Sequence, residues 1–66
     1  MDAQGHGLTP RQIDVMELVA EGMTNREIAT RLHVAESTVK THLTAAFHRL
    51  GAANRIQAVA TYLRGS

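Results

Sequence analysis

Lys40, Thr41 and Thr44, together with Ser37 and His48, place one cation among short hydrogen-bonding side chains in a single stretch of the chain. If that stretch is helical, at about 100° per residue, Ser37, Thr44, His48 and Thr41 all fall between about 40° and 100° from Lys40. Val39, Ala46, Leu50, Leu43 and Phe47 then fall between about 240° and 340°, the dry face that packs on other elements. The outward face holds no acidic residue. A solvated helix face ordinarily mixes both signs at i and i+4, whereas one kept clear of carboxylates suits phosphates and base edges. Two threonines and a lysine also make a ridge narrow enough for a major groove roughly 12 Å wide. Lys40 alone would read as a solubilising charge, so the weight rests on its neighbours. Arg49, near 180° on the same wheel, reads as a phosphate or salt-bridge contact rather than a reader of bases.

Other chemistries find less support. Of His33, His42 and His48, no pair has the i, i+4 spacing of a helical metal site, and His42 and His48 stand about 240° apart, so neither metal nor cofactor is expected. The 66 residues contain no cysteine, which removes disulfides, thiolate nucleophiles and Cys-based zinc sites. There is no Gly-rich phosphate loop, no paired carboxylates in a cleft and no nucleophile with a placed histidine. A chain of this size buries only roughly 60% of its unfolded surface and has no room for a large substrate cleft, so an enzyme is not expected. No apolar run approaches the roughly 18 residues of a membrane span, and the N-terminus lacks a signal pattern, so the chain reads as cytoplasmic and free of membrane. The net charge of +1 hides a division. Through Glu36 there are three basic and six acidic residues, a net of −3; from Ser37 on there are four basic and none acidic, a net of +4. That polarity turns the second half toward a polyanion.

The elements that position these residues are all helical. Helix formers fill the stretches between glycines, and only Phe47 and Tyr62 are aromatic. Three helix starts repeat one chemistry: Thr9 before Pro10 with Gln12 three residues on, Thr24 with Glu27, and Asn54 with Gln57, each a capping box or a close relative. Gly22 and Gly51 suit the left-handed residue that ends a helix. Four helices are expected, at about 10–21, 25–32, 36–50 and 55–64. His33, Val34 and Ala35 leave room only for a tight turn between the second and third, which is helix-turn-helix spacing. Met1 to Gly7 reads as a flexible lead-in or linker remnant and residues 8–66 as one domain. A cut linker there favours a fragment of a longer protein over a complete small one.

From Leu8 to Val59 the chain resembles the LuxR-type (LuxR/FixJ or GerE-type) helix-turn-helix domain of bacterial transcription regulators. The motifs that carry the resemblance are LTPRQ at Leu8 to Gln12, Gly22 with TNREIA at Thr24 to Ala29, STVKTH at Ser37 to His42, RLGA at Arg49 to Ala52 and NRIQAV at Asn54 to Val59. The resemblance implies an all-α four-helix domain whose third helix lies in the major groove of double-stranded DNA while the second braces it. It implies base contacts from Lys40, Thr41 and Thr44. It implies backbone contacts, or roles in fixing the helix, for Asn25, Ser37, Thr38, His42, Arg49 and Arg55. It also implies a homodimer through the fourth helix, with RNA polymerase as a further candidate partner. On that helix Ile56, Val59, Ala60 and Leu63 recur at helical spacing and are expected to cover the core, leaving Ala58, Tyr62 and Gln57 for the partner copy.

Four residues depart from the family pattern. Gln12 stands where glutamate is usual, keeping a polar cap but losing a charge. Ala35 stands where serine often caps the recognition helix, a loss of roughly 1 kcal/mol. Ala45 and Ala46 make the middle of that helix less bulky, which bears on base preference. The competing reading is a helix-turn-helix relic used only for protein interaction or dimerisation. Such a module would keep the core and fourth helix but need no basic arc.

Overall fold

The computed structural model describes residues 7–65. Met1 to His6, most of the expected lead-in, lie outside the described residues, as does Ser66. Four helices follow in order: α1 (Pro10–Ala20), α2 (Asn25–Leu32), α3 (Glu36–Leu50) and α4 (Arg55–Gly65). Each boundary lies within a residue of its expectation.

The helix starts form as their side chains dictate. The Thr9 hydroxyl accepts the Gln12 N–H at 3.2 Å while the Gln12 carbonyl oxygen accepts the Thr9 N–H at 2.9 Å. Thr24 and Glu27 repeat the exchange at 3.1 and 2.8 Å. At α4 the Asn54 side chain accepts the Gln57 N–H at 2.9 Å, but Gln57 reaches back one residue further, to the Ala53 N–H at 2.6 Å. Only α3 starts bare: Ala35 makes no side-chain cap bond.

The first three helices end alike. After α1, the Met23 N–H donates to the Leu18 carbonyl; after α2, the Val34 N–H donates to Ala29; after α3, the Ala52 N–H donates to Phe47. Each such closure needs one left-handed residue. Gly22 (φ 91°) and Gly51 (φ 67°) supply it as expected, but between α2 and α3 it is His33, at φ 60°. The turn is therefore set by a strained, non-glycine residue.

α3 is central, with α1, α2 and α4 all packed on it, and α1 also touches α2 and α4. Val39, Leu43, Ala46 and Leu50 are buried along its inner side, with Phe47 half-buried, as the wheel predicts. They meet Val15, Met16 and Val19 of α1, Ile28 and Ala29 of α2, and Ala58 and Tyr62 of α4 in one core.

α4 sits the other way round from its expected orientation. Ala58 and Tyr62, assigned to a partner copy, are 0% and 1% exposed in the core, while Ile56 and Leu63, assigned to the core, are 83% and 56% exposed. Two polar anchors decide the rotation. The Tyr62 hydroxyl donates to the Glu17 carboxylate on α1, and Arg55 bonds to the start of α2. Ala58 lies on the same side and its small side chain admits close approach. Of the four residues expected to cover the core, Ile56, Ala60 and Leu63 are turned out, while Val59 is half-buried against it as expected. Gln57 is exposed, as expected.

Candidate nucleic-acid interface

The outward side of α3 is a built surface rather than a random face. Gln12, Lys40, Thr41, Thr44, Ala45, His48 and Arg49 line one open concavity of about 620 Å³ along the helix. The structure thus brings together the three expected base readers, Lys40, Thr41 and Thr44, all exposed. Ser37 is exposed one turn before them, whereas Thr38 and His42 are half-buried toward the flank.

Electrostatics keep the strip cationic. Among the described residues the single ion pair is Arg11 with Asp14 at 3.8 Å, both exposed on α1. An exposed pair of that length contributes little. Among the described residues no carboxylate pairs with Lys40 or Arg49, so these two charges remain available to an anion. Arg49 is nonetheless held: its guanidinium donates to the Gly7 carbonyl at 2.5 Å, tying the segment before α1 to the last turn of α3. It makes a backbone bond where a salt bridge was one of two expectations.

Asn25 and Arg55, expected as backbone contacts or helix-fixing residues, are brought to each other. Arg55 donates to the Asn25 side-chain carbonyl and to the Met23 carbonyl, each at 2.7 Å, and both side chains are half-buried. Bonds from a charged donor are worth about 1.5–3 kcal/mol, so this clamp fixes α2 against α4 beneath α3. Both side chains are thus engaged within the domain.

Gln12 and Ala45 were missed as lining residues. Gln12 had been read only as a cap; it is 8% exposed, with its carbonyl oxygen on Thr9 and its remaining surface on the strip. Ala45 stands near 140° from Lys40 on the wheel, between Thr41 and Arg49, and its position alone was signal enough. His48 was placed on the polar arc and does line the strip.

Among the described residues no group of three or more His, Asp or Glu side chains is placed to hold a metal ion, and no helix is long and apolar enough to cross a membrane. The model of the luxR family of bacterial regulatory proteins matches residues 6–62. A Mycobacterium bovis chain named as an HTH-type transcriptional regulator is 52% identical over 58 residues, which cover 86% of this chain and 7% of the relative. The spore germination protein GerE of Bacillus subtilis is 42% identical over 57 residues, 86% of this chain and 77% of its own length. The nitrate/nitrite response regulator protein NarL of Escherichia coli is 41% identical over 51 residues, 77% of this chain and 24% of its own length. The chain thus spans about 7% of the length of the mycobacterial relative and most of the length of GerE. With four helices, a tight turn into α3 and a cationic strip along it, the chain belongs to the LuxR family of bacterial regulatory proteins, as a helix-turn-helix DNA-binding domain.

Proposed function

We propose that this domain is the cytoplasmic output unit of a transcription regulator and reads double-stranded DNA sequence-specifically, with α3 in the major groove. The observation that carries the reading is the strip of Lys40, Thr41, Thr44, Ala45, His48 and Arg49, exposed on one side of α3 and, among the described residues, unpaired with any carboxylate. Lys40, Thr41 and Thr44 contact base edges. Ser37, Thr38, His42 and Arg49 contact phosphates, and Asn25 with Arg55 acts by holding α2 and α4 in place. A second copy docks through α4, now by the outward stripe of Ile56, Ala60 and Leu63, on an inverted or direct repeat. RNA polymerase is the further partner that a regulator of transcription implies.

A selection of bound duplexes from a random pool tests this, run with the purified chain at low and near-physiological salt and repeated with Lys40→Ala. One short motif that survives the higher salt and is lost in the variant supports it. Uniform binding that vanishes with salt leaves only a basic surface. Self-association without DNA binding, seen by size-exclusion chromatography, moves the assignment to an interaction module, which the exposed Ile56 and Leu63 would serve.

A further inference from the structure

The hydroxyl groups on the strip are already engaged. Thr41 Oγ1 donates to the Ser37 carbonyl at 3.0 Å, and Thr44 Oγ1 donates to the Lys40 carbonyl at 2.9 Å. A helical threonine whose hydroxyl turns back to the i−4 carbonyl has spent its donor on its own backbone. What an exposed residue of this kind still offers a partner is its methyl group and the acceptor side of its hydroxyl oxygen, but no free donor. Ala45, also exposed, adds another methyl beside them. The middle of the strip therefore presents three methyl groups, from Thr41, Thr44 and Ala45, flanked by the ammonium of Lys40 and by His48 and Arg49.

In the major groove, thymine alone among the four bases carries a methyl group, at C5. We propose that this domain selects thymine by its 5-methyl group, with Thr41 and Thr44 acting as methyl contacts rather than hydroxyl donors and Lys40 supplying the donor to guanine. The inference rests on the reading that α3 lies in the major groove. Thr41 and Thr44 are separated by about 4.5 Å along the helix axis, against a base step of roughly 3.4 Å, so they address neighbouring base pairs. For either hydroxyl to donate to a base it must first abandon a bond it already makes. A buried methyl, by contrast, is a net gain of about fourfold in affinity.

The test uses a duplex selected on this chain from a random pool. Each dT of the selected site is replaced singly by dU, which removes only the methyl group, and binding is titrated at fixed salt for the parent chain and for Thr41→Ser, Thr41→Val, Thr44→Ser and Thr44→Val. Circular dichroism confirms that each variant folds. At one or two positions dU is expected to weaken parent binding by about fourfold. The matching serine variant weakens binding similarly and no longer distinguishes dU from dT there, the signature of a coupled pair. The valine variants bind like the parent. Indifference to dU across the site, or valine variants that lose as much as the serine variants, overturns the methyl reading while leaving groove binding intact. A parent chain that selects no motif at all fails the groove reading first, and the methyl reading falls with it.

Discussion

Single side chains on this domain divide into those that hold it together and those left to meet a partner, and the division is set by where their hydrogen bonds already go. Arg55 is spent on Asn25 and Met23. Arg55→Met is therefore expected to lower folding stability by about 1–3 kcal/mol, read as a reduced urea midpoint with unchanged slope. Any loss of DNA affinity in that variant should track the loss of fold. Arg49 differs, because its bond goes to a neutral carbonyl and its charge stays on the strip. Arg49→Gln is expected to weaken binding to all duplexes alike and to reduce the slope of log affinity against log salt by about 1, leaving the preferred motif unchanged. A changed motif would make Arg49 a base reader instead.

At the level of the helices, the stress in the fold sits at the turn that aims α3. His33 holds a left-handed conformation that costs an L-residue roughly 1–2 kcal/mol, and Ala35 leaves the start of α3 without a side-chain cap. His33→Gly is expected to raise the melting temperature by about 4–8 °C for each 1 kcal/mol regained in a domain of this size. Ala35→Ser should add about 1 kcal/mol by capping. A lower melting temperature in either variant contradicts the assignment of strain or of the missing cap. The helix limits were legible in the sequence because capping pairs and end glycines act within a few residues. The left-handed His33 was not, since no residue type marks it and the tight α2–α3 connection imposes it. The orientation of α4 was also illegible: by apolar content alone Ile56, Val59, Ala60 and Leu63 form the better core stripe. Bonds from Tyr62 to Glu17, 45 residues away, and from Arg55 to Asn25, 30 residues away, turn the helix the other way. On α3 the wheel sufficed, because one helix carries both the buried stripe and the strip. The bond between Arg55 and Asn25 was not legible, as a pair distant in sequence shows its mutual contact only in three dimensions.

Taken whole, the domain measures 26 × 24 × 18 Å, and α3, at about 22 Å for its 15 residues, runs nearly its full length. One such unit covers one stretch of groove, and the exposed stripe on α4 is where a second copy would extend it. Ile56→Asp combined with Leu63→Asp should leave the fold within about 0.5 kcal/mol per site of the parent, as for other surface changes. It should convert two-copy binding on a repeated site to weaker one-copy binding, seen as a change of stoichiometry in gel-shift titrations. Unchanged stoichiometry would remove α4 from the dimer. Affinity should fall with salt at a log-log slope of about −0.9 for each phosphate neutralised. The central claim, that the outward side of α3 is the DNA-reading surface, is tested most directly by following the backbone amide resonances of the labelled chain as its selected duplex is added. The largest shifts are expected at Ser37, Lys40, Thr41, Thr44, Ala45, His48 and Arg49, with the exposed parts of α1 staying still. Shifts concentrated at Ile56, Ala60 and Leu63 with α3 unmoved would contradict it.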